Sequence, residues 1–216
     1  MSGEPSTPPS PRARIRRKPQ RAHYDRGTLE AIVDAALICQ IAFNHDGSVH
    51  CLPVNCWRQG DHLYIHGAVS SRMVATLLSD ECCVSITHLD GLVLARAASH
   101  HSMNFRSAAI YGQFEEVQDT GLKTAALESF IEHVSPGRAN LARPPSPAEM
   151  GGVRVLRIAL REAAVKIRAG GPVDTDDDLS IPVWAGVIPL RVQAGPPEAE
   201  TGCAQMETPG IPVFIG

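Results

Sequence analysis

The chain has 216 residues and a mass of 23.2 kDa, enough for one domain of ordinary size and too little for two large ones. Hydrophobic residues make up 44% and charged residues 20%, which excludes wholesale disorder and fibrous repeats. The formal net charge of -3 gives no overall field to gather nucleic acid, and no apolar run reaches the ~18 residues needed to cross a bilayer, because Asp34 and Gln40 interrupt the best candidate, 31–43.

Residues 1–22 are rich in proline and arginine and carry too little apolar surface to offset the entropy of ordering. They are expected to form a solvated basic tail, without a nucleic-acid partner because no aromatic interleaves the basic run. The segment 1–20 also lacks the apolar stretch of a secretory signal, so a cytoplasmic protein is expected. Cysteines at 39, 51, 56, 82, 83 and 203 show no C-x-x-C spacing. No structural metal is expected, and the adjacent Cys82 and Cys83 read as small buried hydrophobes in a reducing compartment.

Organised structure is expected from about Asp25, with Thr28 capping a short helix whose apolar positions Leu29, Ile32, Val33 and Ala36 follow the helical period. A strand over 37–43 ends in the turn Asn44-His-Asp-Gly47. Segments 48–57 and 61–68 then read as a hairpin around Arg58-Gln-Gly-Asp61. In its second arm, period two sets Leu63 and Ile65 on a greasy face and His62, Tyr64 and His66 on a chemical one. A helix over 70–79 starts at Ser70 or Ser71 and buries Met73 and Leu77 with Val74 or Leu78.

Segments 82–87 and 92–97 suggest another hairpin, turning at His88-Leu-Asp-Gly91. A strand over 106–117 precedes a helix over 120–134 with Leu122, Ala126, Leu127, Phe130, Ile131 and Val134 as its buried stripe, stopped by Pro136-Gly137. The stretch 153–167 reads as one long strand with a bulge near Val155. An acidic loop over 170–180, with Asp174, Asp176, Asp177 and Asp178, lacks the glycine and terminal glutamate of an EF-hand and is expected to be solvated. Residues 23–190 thus form a mostly antiparallel β-barrel domain with a few short helices, and 191–216 a C-terminal extension.

No G-x-S-x-G elbow, Walker loop, H-E-x-x-H or G-x-G-x-x-G is present, which removes the commonest hydrolase, triphosphatase, zinc-protease and Rossmann readings. What remains is a phosphate-and-ring pattern. His66-Gly-Ala-Val-Ser-Ser-Arg72 ends a strand and opens a helix, bringing hydroxyls, a guanidinium and unpaired N–H groups together. A second polar set, His100-His-Ser-Met-Asn-Phe-Arg-Ser107, leads into a strand, and the two sets would clamp a mononucleotide. Surface pairing of Arg72 and solvent exposure of His100 and His101 are the plainer alternatives.

The order and spacing of Arg17–Asp25, Asp61-His-Leu-Tyr-Ile-His-Gly-Ala68, Ser71-Arg72, Asp90-Gly91, Ser102-Met-Asn-Phe-Arg-Ser107, Gly112, His133, Pro136-Gly-Arg138 and Trp184-Ala-Gly-Val-Ile-Pro-Leu190 resemble the flavin-nucleotide-binding branch of the pyridoxamine 5'-phosphate oxidase-like family. That branch includes the nitroimidazole-resistance proteins. The resemblance implies an antiparallel, Greek-key split β-barrel that binds FMN at the interface of a homodimer. By motif, Ser71 and Arg72 match the residues that hold the FMN phosphate, while the family's following lysine is Met73 here. Arg106 and Ser107 match a flavin-contacting pair, Pro53, Val54 and Asn55 lie on the arm that lines the flavin ring, and Trp184 matches a tryptophan beside the flavin.

His66 aligns with a histidine that faces the flavin and is implied to assist catalysis by moving a proton; a structural hydrogen bond is the other reading. The Arg-x-His-Asp-Arg type substrate motif that follows the tryptophan in true pyridoxamine-phosphate oxidases is absent, which argues against a vitamin-B6 substrate. The expectation is an FMN-dependent oxidoreductase acting on a small molecule, with NAD(P)H a possible reductant. The alternative is a non-catalytic flavin carrier, or a haem binder built on the histidines at 62, 66, 100 and 101.

Overall fold

In the computed structural model, which describes residues 7–203 and 206–214, alternating apolar residues build two antiparallel sheets. The larger runs, in spatial order, β1 (Ala22–His23), β10 (Ala163–Arg168), β7 (Ser102–Gly112), β6 (Cys82–Leu94), β2 (Ile38–His45) and β3 (Ser48–Asn55), and β11 (Gly186–Pro189) pairs with the end of β6. The smaller runs β4 (Trp57–Gln59), β5 (His62–Ala68), β9 (Val153–Ala159) and β8 (Glu115–Glu116). Among the described residues, four α-helices accompany the sheets: α1 (Arg26–Asp34), α2 (Arg72–Ser79), α3 (Thr120–Val134) and α4 (Pro147–Gly152). None is long and apolar enough to cross a membrane.

The main core lies between the sheets, where Ile41, Leu63, Ile65, Val84, Ile110, Leu156 and Ile158 meet Ile32 and Val33 of α1 and Val74 and Leu77 of α2. Each such side chain contributes about 1.5–3 kcal/mol through burial. Leu63 and Ile65 face this core as their alternation requires, while Tyr64 turns to the opposite face of the small sheet. There Trp57, Tyr64, Val117 and Val155 form a second core under Ala126, Leu127 and Phe130 of α3.

The chain passes between the sheets where sequence alone suggests continuous strands. Segment 48–57 breaks at Cys56: β3 pairs with β2, β4 pairs with β5, and the Cys56 N–H donates to the Leu37 carbonyl at 3.1 Å. Segment 153–167 breaks at 160–162, so β9 and β10 lie in different sheets, with the Leu160 N–H donating to the Asp61 carbonyl at 3.0 Å. The expected strand 106–117 starts earlier, at Ser102, and ends at Gly112, whose φ of 149° turns the chain toward β8. These crossings fold the two sheets into the split barrel that the sequence leads one to expect.

Other expectations are corrected. Asp90-Gly91 is a bulge inside one continuous β6 and not a hairpin turn. A Cβ on Gly91 would come within 3.1 Å of the Ile188 carbonyl, so the bulge gives β11 its close approach. Asp25, not Thr28, caps α1, its carboxylate accepting from the Thr28 N–H at 2.8 Å. Helix α3 has the predicted bounds, yet Ala126 alone is fully buried and Leu122 is 61% exposed, because the helix covers the small sheet with one flank and leaves the other open.

The expected N-terminal tail is seated on the barrel from residue 10 onward, while residues 1–6 lie outside the described residues. Ala13 is buried, and the Ile15 N–H donates to the Tyr24 hydroxyl at 3.0 Å. Arg12 spans Glu81 at 2.6 Å and Glu162 at 2.7 Å and lies over the Tyr111 ring. The C-terminal extension also returns: Ser135 Oγ donates to the Gly210 carbonyl at 2.9 Å, and Phe214 stacks on His133.

Candidate functional site

His66 lies near the end of β5, opposite Val155 of β9. Its imidazole sits 4.9 Å from the Phe130 ring and 5.9 Å from the Trp57 ring, measured between centroids. Nδ1 is enclosed and has no hydrogen-bond partner among the described residues. Burial pushes the His66 pKa below its ordinary value, so the ring is neutral at pH 7. A neutral imidazole accepts a proton or ligates a metal, and it is a poor proton donor.

The ring borders a hollow of about 480 Å³ whose other walls include Leu127, Phe130, Ile131, Met150 and Val153. Across the opening, Arg143 forms an ion pair with Glu149 at 2.7 Å, and Glu149 closes a capping box with Ser146 at the start of α4. An apolar chamber with one neutral imidazole and an ion pair at its rim suits a flat, largely hydrophobic molecule with a polar edge.

The next residue, Gly67, brings β5 against α2: a Cβ there would come 2.7 Å from Val74 Cγ2. The Ser71–Arg72 turn is therefore held directly beyond His66. Ser71 is the N-cap of α2, its hydroxyl accepting from the Val74 N–H at a long 3.5 Å, and the Arg72 side chain is exposed with no carboxylate engaging it among the described residues. The guanidinium and the open N–H groups of the first helical turn form a positive end that attracts an anion. Met73, where the family's lysine is expected, faces the main core, so that position serves packing.

The second polar set lies elsewhere on the chain. Arg106 is held by Asp90 through contacts of 2.8–3.2 Å, which keep it firmly charged, and Ser107 Oγ donates to the Lys166 carbonyl at 3.2 Å. Arg106 borders a separate hollow of about 720 Å³, shared with Ala36, His88 and Phe214. Pro53 and Asn55 are exposed on the edge strand β3, and Val54 packs on the main core. Trp184 is 61% exposed and its ring lies over Gly186, where a Cβ would come within 2.9 Å of it.

Ser71 and Arg72 thus open the helix that follows the His66 strand without lining the His66 hollow, and Arg106, Ser107, Pro53, Asn55 and Trp184 lie on other surfaces. Sequence reading missed the aromatic walls. Trp57 opens a strand too short to show alternation, and Phe130 was assigned to a buried stripe, so neither signalled a contact with His66. It also missed the seat of Asp174, which is buried against Arg96 and not solvated.

Two antiparallel sheets around the main core, crossed by the chain at Cys56 and at 160–162, define a split β-barrel. A family model described as pyridoxamine 5'-phosphate oxidase matches residues 25–167, and the chain belongs to that family. The structure of the flavocytochrome Anf3 from Azotobacter vinelandii is 34% identical with a TM-score of 0.88, covering 96% of each chain. An FAD and haem binding protein from Mycobacterium smegmatis is 30% identical with a TM-score of 0.83, covering 88% of this chain and 94% of that one. A candidate 5-nitroimidazole antibiotic resistance protein from Bacteroides thetaiotaomicron shares the fold at 20% identity and a TM-score of 0.58, covering 68% and 86%. Among curated proteins there is no significant match.

Proposed function

We propose that the protein is a homodimeric flavin-binding redox protein that also holds a haem against His66. The observation that carries this reading is the neutral, unpartnered imidazole in an aromatic and aliphatic chamber of about 480 Å³. Haem ligation requires an unprotonated imidazole and an apolar surround, and His66 has both. Support comes from the two relatives at 34% and 30% identity, one described as a flavocytochrome and the other as binding FAD and haem.

Arg72 and the first turn of α2 would hold the flavin phosphate. The sequence resemblance points to FMN and the Mycobacterium smegmatis relative to FAD, so the nucleotide released on denaturation decides between them. When bound, a flavin supplies one- or two-electron chemistry and a haem one-electron chemistry, which together fit electron delivery from a reductant such as NAD(P)H to a small acceptor. The protein's share is to fix His66 between Trp57 and Phe130, exclude water from its Nδ1 and place positive charge beside α2. Exposed Ile38, Leu52, Met103 and Trp184 offer apolar surface for a second copy, consistent with a cofactor shared between subunits. The six free cysteines fit a reducing, cytoplasmic setting.

The visible spectrum of the purified protein tests the reading, with both a flavin band and a Soret band expected. His66→Ala should abolish the Soret band and keep the flavin, and Arg72→Ala should weaken flavin affinity at least about tenfold while the fold is retained. A flavin spectrum without haem in protein reconstituted with hemin would leave His66 as a proton acceptor in a flavin-dependent oxidoreductase, and a protein that takes up neither cofactor would overturn the proposal.

A further inference from the structure

A second group of metal-ligating side chains lies outside the His66 chamber. His100, in the 3-10 turn between β6 and β7, points its Nδ1 at Asp174 Oδ1 from 3.8 Å and at Asp178 Oδ2 from 3.9 Å. The three atoms lie within 4.8 Å of one another. Both histidine distances are too long for hydrogen bonds, and His100 Nδ1 is enclosed with no partner among the described residues. Ligands about 2.0–2.2 Å from a shared ion stand roughly 2.8–3.6 Å apart, so the three atoms would draw in by a few tenths of an ångström or more on an ion placed between them.

Charge and burial agree with a guest there. The Asp174 side chain is only 2% exposed. Arg96 Nη1 donates to Asp174 Oδ2 at 3.0 Å, and Oδ1, the oxygen nearer His100, accepts from the Arg96 N–H at 3.0 Å. Asp178 Oδ2 is oriented by the Thr175 hydroxyl at 2.8 Å. Two carboxylates and one guanidinium leave this neighbourhood one negative charge in excess when His100 is neutral.

We propose that His100, Asp174 and Asp178 bind a divalent first-row cation, with Arg96 and Thr175 as the outer partners that orient the carboxylates. One nitrogen and two carboxylate oxygens suit Mn²⁺, Fe²⁺ or Zn²⁺ and leave positions for water. The ion clips the loop after β10, which leads to Trp184 and β11, onto the connection between β6 and β7. It is independent of the flavin and haem reading, since none of its residues lines the His66 chamber.

The test uses untagged full-length protein, dialysed against chelator and then titrated with Mn²⁺, which free thiols compete for less than for Zn²⁺. Loss of the free Mn²⁺ electron-paramagnetic-resonance signal reads binding whatever flavin is present. Uptake of a single Mn²⁺ per chain is expected, with a rise in Tm and affinity at least about tenfold weaker in both His100→Ala and Asp178→Asn. Circular dichroism shows whether each variant is folded. No uptake by the wild-type chain, or equal uptake by folded variants, overturns the proposal.

Discussion

Trp57 carries the chamber, and its replacement gives the most informative test. The indole is fully buried and lies 5.1 Å from Phe130, 5.8 Å from Tyr64 and 5.9 Å from His66. Truncation to alanine removes that contact area and leaves a void, a loss of about 3–5 kcal/mol against a total stability of about 5–15 kcal/mol. Yet Trp57 Nε1 is buried with no partner among the described residues, a cost of about 1–3 kcal/mol that phenylalanine would relieve. Trp57→Phe keeps one ring against Phe130 and should stay within about 2 kcal/mol of wild type. Urea denaturation followed by circular dichroism measures both changes. If phenylalanine proves as costly as alanine, the indole N–H is engaged in a hydrogen bond and the reasoning fails. A cost below about 1 kcal/mol for alanine would mean that α3 does not dock through this residue.

Burial lowers the pKa of His66, and burial with the nearby Arg157 lowers that of His62. The unfolded chain therefore binds protons that the native state refuses, and stability should fall as pH drops through about 6.5 toward the native pKa values; urea midpoints across this range should flatten in a His62→Gln, His66→Gln double variant. Gly67→Ala should destabilise by about 1–3 kcal/mol by driving its methyl into Val74, and Val74→Ala in the same chain should recover part of that loss in thermal melts. Asp25→Ala should cost about 1 kcal/mol through loss of the α1 cap, while Thr28→Val should cost less, which separates the cap from the residue it serves.

Local signals were legible in the sequence where one element's own periodicity or cap determined it. Thr120–Val134, the Ser71 cap and the two faces of β5 follow from helical spacing, a hydroxyl before an apolar run and strict alternation. The crossings were hidden because sheet membership is a tertiary property: Cys56 carries no turn chemistry, and 160–162 holds neither glycine nor proline. Asp90-Gly91 misled in the opposite sense, since a bulge and a hairpin use the same residue pair. At the site, His66, Ser71 and Arg72 stand on one strand-to-helix connection, so their order was legible from the sequence. The wall that neutralises His66 comes from Trp57 and Phe130, and the partners of His100 come from a loop more than seventy residues further on, so only the folded chain brings them together.

The Arg12 bridge sets where a shortened version of the chain can begin. Its two acidic partners stand just before β6 and β10, the strands that flank β7 in the larger sheet, and they come within reach of one guanidinium only once these three strands have paired. Resistance of the bond between Arg12 and the buried Ala13 to trypsin therefore gauges the pairing of β6, β7 and β10. Trimming to residue 23 would discard that latch and uncover the seat of Ala13, whereas removal of residues 1–6 spares both.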